Sequence, residues 1–116
     1  MGKSRMTQKT ETQTIYETLD LSRGAWLIQG ITFNLPQQQI IVNGIYNPYE
    51  ADSPFQIVFE DCRLTHWDIV NDEEFDVADV IGFDLYEQET PHRAVIHTDW
   101  FEIGVQYAQY IIQKDW

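Results

Sequence analysis

Short runs of β-branched and aromatic residues recur along the chain at near-regular spacing, each closed by a cluster of Pro, Gly, Asn, Asp or Gln. This rhythm restricts the fold more than any other feature. Residues 25–34 (AWLIQGITFN) are apolar on both parities, as a strand buried partly on two sides must be. Pro36 and glutamines 37–39 make a polar turn, after which residues 39–46 (QIIVNGIY) read as the antiparallel partner. Gly44 within them marks a bulge or a close approach of two backbones. Residues 47–54 read as a loop, because its prolines cannot donate to a ladder. Residues 55–70 (FQIVFEDCRLTHWDIV) read as two strands turned on Asp61-Cys62. Phe55, Ile57 and Phe59 form the core face of the first, and Thr65, Trp67 and Ile69 that of the second. Residues 79–87 place Ile81, Phe83 and Leu85 inward against Gly82, Asp84 and Tyr86 outward, and residues 93–98 supply another strand.

The two ends are less regular. Residues 1–13 carry Lys3, Arg5 and Lys9 with no apolar period and read as a mobile arm ahead of a single domain, 14–116; residues 15–21 suit a short edge strand. Near the C-terminus Phe101, Ile103, Val105 and Tyr107 alternate as a strand does. Phe101, Val105, Ala108 and Ile112 also share a helical face, and Asp99 with Glu102 has the spacing of a capping box. The β-branched and aromatic content of this run, together with Gly104, which costs a helix about 1 kcal/mol relative to Ala, favours two strands. The expected fold is all-β, a single antiparallel sandwich or small barrel of about 7–8 short strands. It becomes a β-rich α+β fold if residues 99–113 are helical.

Charge narrows the partners. Nineteen acidic residues against seven basic ones give a net charge of −12, and between Glu60 and Glu89 eleven acids face one base, Arg63. Such a field repels phosphate backbones and anionic lipid and speeds encounter with a basic protein, so neither direct nucleic-acid binding nor membrane binding is expected. The plainer reading of the same charge is solubility. The single Cys62 has no internal disulfide partner, no apolar run reaches the length of a membrane span, and the start lacks the apolar core of a signal peptide. A cytoplasmic setting follows as the expectation.

Two constellations offer ligand chemistry. The pattern H-x-D occurs as His66-Trp67-Asp68 and as His97-Thr98-Asp99, and on a strand each pair sets an imidazole and a carboxylate on one face. If the two strands are sheet neighbours, His66, Asp68, His97 and Asp99 are candidate ligands for Zn²⁺ or another divalent ion. If not, they are ordinary residues of a solvated face. The acidic stretch Asp72, Glu73, Glu74, Asp76 and Asp79 lacks the spacing and glycine of an EF-hand and reads as a calcium-capable or merely solvated loop.

Catalytic material is sparse. Asp61 beside Cys62 opposes thiolate formation; there is no G-x-S-x-G elbow, phosphate loop or C-x-x-C; and nothing selects a carboxylate pair such as Asp68 with Asp84. No catalytic residue and no organic cofactor are assigned. The aromatics Tyr46, Tyr49, Trp67, Trp100, Tyr107, Tyr110 and Trp116 exceed what a small core holds centrally. They read as interface anchors or as packing at the rim. The expected function is a non-enzymatic acidic interaction domain that engages a basic protein or a second copy of itself through Asp72, Glu73, Glu74, Asp76, Asp79, Trp100 and Trp116. The alternative is a small-ligand or divalent-metal protein built on the H-x-D pairs, with hydrolysis among the chemistries open to it.

Overall fold

The computed structural model describes residues 7–9, 24–34, 36–47, 53–71 and 77–114. Within them the chain forms only β-strands: β1 (Thr7–Lys9), β2 (Trp26–Asn34), β3 (Gln39–Tyr46), β4 (Ser53–Glu60), β5 (Arg63–Ile69), β6 (Ala78–Tyr86), β7 (His92–Thr98), β8 (Phe101–Tyr107) and β9 (Gln109–Lys114). All pairings are antiparallel, in the order β1-β9-β4-β3-β2-β6-β7-β8-β5. The C-terminal run is therefore two strands, as its residue types favoured. The edge strand expected at residues 15–21 lies outside the described residues. Thr7–Lys9, part of the expected arm, pairs with Ile112–Lys114 of β9.

The order divides into two halves, β1-β9-β4-β3-β2 and β6-β7-β8-β5, joined at a short seam where Leu27 and Ile28 oppose Asp79 and Ala78. The chain crosses between the halves twice. It leaves β4 for β5 through Asp61, whose φ of 48° is one that Asp tolerates better than most residues. It leaves β8 for β9 at Ala108, whose N–H donates to Glu60 O at 3.1 Å.

β4 and β5 turn on Asp61-Cys62 as the sequence suggests, and the turn carries the chain from one half to the other without pairing the two strands. β4 lies between β3 and β9, while β5 is the last strand of the other half and pairs with β8.

Side chains from both halves meet in one core. Phe59 of β4 contacts Tyr107 of β8 at 5.1 Å between ring centroids and Tyr110 of β9 at 6.3 Å, and Trp26 of β2 meets Phe55 at 5.7 Å and Phe83 of β6 at 5.2 Å. Tyr107 and Tyr110 are fully buried, so these two belong to the core and are neither anchors nor rim. Phe55, Ile57 and Phe59 are buried as expected, each side chain contributing on the order of 1.5–3 kcal/mol.

Trp67 and Ile69, expected beside them, are instead 40% and 52% exposed. Their parity is right, since they oppose Ile103 and Phe101, but β5 is the last strand in the order and, among the described residues, no strand lies beyond it.

Two β-bulges explain the remaining errors of face. The β6–β7 register steps from Val80↔Thr98 to Gly82↔His97, which leaves Ile81 as the extra residue, 69% exposed and not inward. The β5–β8 register steps from Leu64↔Val105 to His66↔Gly104, which removes Thr65 from the expected inner row and gives its place to Leu64. Ser53 and Pro54, expected in a loop, begin β4. Gly44 is indeed a close approach, as a Cβ there would lie 2.6 Å from Leu27 O; the bulge in this pair falls at Gln29 on the opposite strand.

Candidate functional site

The outward face of β6-β7-β8-β5 carries a row of imidazoles and carboxylates. β7 and β8 form a hairpin closed by Asp99-Trp100, with Thr98 as its clasp. Thr98 Oγ1 donates to Phe101 O at 2.8 Å and accepts from the N–H of Phe101 at 2.7 Å and of Trp100 at 3.1 Å. A two-residue turn fixes the register, so His97 falls opposite Glu102. On the other side of β8, His66 opposes Gly104 and Asp68 opposes Glu102. The side chain of Glu102 is thereby placed between two histidines.

The contacts follow from that register. Glu102 Oε2 lies 3.0 Å from His66 Nε2, and Glu102 Oε1 lies 2.8 Å from His97 Nδ1. The other ring nitrogen of His97, Nε2, lies 3.1 Å from Asp84 Oδ2 on β6. A continuous track, His66–Glu102–His97–Asp84, thus crosses four adjacent strands. Each imidazole lies across a glycine of a neighbouring strand. A Cβ at Gly104 would come within 2.5 Å of the His66 ring, and one at Gly82 would be 3.4 Å from His97. Glu102 is held below the ordinary carboxylate range, first by the hydrogen bond from His66 and then by that from His97.

His66 and His97 do share a face, but their strands are not neighbours, because β8 lies between them. Asp68 joins the track: ligand atoms of His66, Asp68 and Glu102 lie within 4.8 Å of one another. Asp99 does not join it. Its carboxylate accepts the N–H of Asp79 at 2.9 Å while its own N–H donates to Asp79 O at 3.0 Å, so it ties the hairpin turn to the start of β6. Burial, and after it the proximity of Asp99, pushes the Asp79 carboxyl up.

Glu102 is absent from the candidates that the sequence selects. The signal was present: a two-residue turn at Asp99-Trp100 makes His97 and Glu102 cross-strand partners by counting outward. The capping-box spacing of Asp99 with Glu102 concealed it.

Of the expected partner-binding residues, Asp72, Glu73, Glu74, Asp76 and Trp116 lie outside the described residues. Asp79 is exposed, and Trp100 is partly buried against the core with its ring 6.0 Å from Phe101. Among the tryptophans of the described residues the exposed one is Trp67, stacked on Phe101 at 4.8 Å. With Leu64, Ile69 and Val70, all more than 40% exposed, it gives the β5 edge an apolar surface. Across from β5, the outer half of β2 contributes Ile31 and Phe33 to a shallow cleft shared with Trp67 and Phe101.

Cys62 is part of the frame. Its thiol donates to Gln38 O at 3.2 Å and to Phe59 O at 3.3 Å, and burial, with a smaller contribution from Asp61, pushes its pKa up. Among the described residues, no helix is long and apolar enough to cross a membrane. Comparison with protein-family models, with curated proteins and with solved structures gives no match.

Proposed function

We propose that this chain is a non-enzymatic interaction domain that takes up a basic, extended segment of a protein partner as an added strand along β5. One observation carries the reading: β5 ends the sheet order, pairs only with β8 among the described residues, and exposes Leu64, Trp67 and Ile69 beside its free backbone edge. An uncovered edge with large apolar side chains is a template for strand addition, because unpaired backbone groups supply affinity and the alternating side chains supply selectivity. Charge selects the partner. A chain of net charge −12 repels a second copy of itself and attracts Lys- and Arg-bearing segments, and Asp68 lies on β5 itself.

The test is selection of short peptides from a random displayed library, followed by hydrogen exchange on the complex. The expected binders alternate apolar and basic residues, slow exchange at residues 63–69, and weaken as salt rises from about 0.05 to about 0.5 M. Trp67→Ser with Ile69→Lys abolishes binding, whereas Ile81→Lys, on a still more exposed residue, retains it. Protection mapped to another strand, or affinity indifferent to salt, refutes the reading. A dimer that the same double substitution disrupts makes a second copy the occupant.

A further inference from the structure

We infer that His66, Asp68 and Glu102 form a binding site for a divalent ion of the zinc class, with His97 and Asp84 holding Glu102 in place. The site does not rest on the strand-addition reading: it uses the outward side chains of β5 and β8, whereas strand addition uses the β5 backbone with Leu64, Trp67 and Ile69, and Asp68 alone enters both.

The geometry is close to what coordination requires. Four-coordinate zinc, with bonds of about 2.0–2.1 Å, sets neighbouring ligand atoms about 3.3 Å apart. His66 Nε2 and Glu102 Oε2 are 3.0 Å apart, so an ion on their common side needs a separation of only a few tenths of an ångström. All three ligand atoms lie within 4.8 Å, and Asp68, which is exposed, closes the remainder by side-chain rotation. His66 and Glu102 are about one-third exposed, at 34% and 35%, which leaves an entry path and room for water as a further ligand.

A second observation separates this cluster from a chance gathering of surface charges. Metal-binding carboxylates are commonly fixed by a hydrogen bond to the oxygen facing away from the ion, and that bond is already made here. Glu102 Oε1 is engaged by His97 Nδ1 at 2.8 Å, and His97 is anchored in turn through Nε2 to Asp84 at 3.1 Å. Both anchors come from strands on the far side of β8, so the carboxylate is gripped from one side and presented to His66 and Asp68 on the other. Gly104 adds to this, because its missing Cβ is what lets the His66 ring lie across β8. One imidazole nitrogen with two carboxylates suits Zn²⁺ and Co²⁺ better than Ca²⁺, which takes 6 to 8 oxygens.

The probe is Zn²⁺ alone, titrated calorimetrically into protein freed of any affinity tag, with Co²⁺ as the spectroscopic substitute. The expected result is one ion per chain, a saturable rise in Tm, and Co²⁺ absorption of a low-symmetry, four- or five-coordinate site. His66→Ala and Glu102→Gln each abolish binding while the far-ultraviolet spectrum stays that of the wild type. His97→Ala weakens binding about 10- to 100-fold, and His97→Gln, whose amide still donates to Glu102, recovers part of it. Asp99→Asn and His92→Ala leave affinity unchanged. Absence of stoichiometric binding overturns the inference, as does binding that survives His66→Ala or falls equally with His92→Ala.

Discussion

Gly44→Ala puts the packing between β2, β3 and β4 under direct test. Gly44 opposes Ile28 on one side and Phe55 on the other, and a Cβ built there lies 2.6 Å from Leu27 O and 2.7 Å from Phe55 Cζ. Carbon and oxygen approach no closer than about 3.3 Å without repulsion, so β2 would have to retreat by about 0.7 Å, or the ring by somewhat more. Neither can move freely. Strands joined by hydrogen bonds sit about 4.8 Å apart, and an added 0.7 Å takes their N–H···O bonds beyond the useful range of about 3.2 Å. Phe55 is 1% exposed and locked edge-on against Trp26.

Overpacking of this kind costs about 1–3 kcal/mol, and reduced freedom of the unfolded chain returns about 0.4–1 kcal/mol. A net loss of about 1.3 kcal/mol lowers Tm by about 5 °C, at about 4 °C per kcal/mol for a domain of this length. Gly30→Ala is the internal control: it lies on the same strand pair, with nothing within 4 Å of the added Cβ. Urea unfolding at constant m should show Gly44→Ala clearly destabilised and Gly30→Ala neutral or slightly stabilised. Equal midpoints for the two variants would refute the packing argument.

Glu102 should titrate below the ordinary carboxylate range in a ¹³C NMR experiment, and His66→Ala should move it upward; an unmoved value would remove His66 as the main cause. A carboxylate depressed on folding adds stability that is present above its unfolded pKa and lost as pH falls through the folded one. Glu102→Gln should therefore flatten the stability profile only on the acid side of ordinary carboxylate titration. Cys62 should alkylate slowly at neutral pH and quickly in urea, since its thiol is half-buried and donates to two carbonyls; labelling at the rate of an unfolded thiol would contradict this. Phe59→Ala should cost about 3–5 kcal/mol in denaturant unfolding, and Trp67→Ala, on the exposed edge, about 1 kcal/mol or less; comparable losses would mean that β5 is covered. Gly104→Ala should shift the ¹⁵N resonances of His66 while Gly82→Ala leaves those of His97 in place, because only the first added Cβ meets its ring closer than 3 Å.

Local period-2 patterns locate most strands, because side-chain alternation is decided within each strand. The pattern at residues 39–46 coincides with β3 to the residue, and that at 25–34 with β2 to within one. Neighbour relations are not legible in the same way. The β5–β8 pairing joins His66 to Gly104 across two intervening strands of sequence, and no local pattern distinguishes that partner from β4, which is nearer in sequence. Burial is hidden for the same reason: Trp67 and Ile69 have the parity of core residues, but whether that face is covered depends on what lies beyond β5. The bulges at Thr65 and Ile81 are single-residue events, the first without a Gly or Pro beside it and the second followed by Gly82, and each breaks the alternation so that one residue of the expected inner row falls out of it.

The glycines tie the site to the fold. Glycine is a poor strand residue, costing roughly 0.5–1 kcal/mol relative to Ala, and β6 and β8 each place one on the outward face. Their positions are not interchangeable with others on those strands, since Gly82 opposes His97 and Gly104 opposes His66. A side chain at Gly104 would force the His66 ring upright, away from Glu102, and one at Gly82 would touch the ring of His97. Gly104 is buried beneath the side chains of His66 and Thr65, each of which would lie 2.5 Å from an added Cβ, so the His66 ring over β8 and the glycine beneath it require each other. Gly104 is the one that the His66 ring requires in order to reach Glu102, whereas Gly82 leaves room beside His97 that a methyl group would fill at ordinary contact distance.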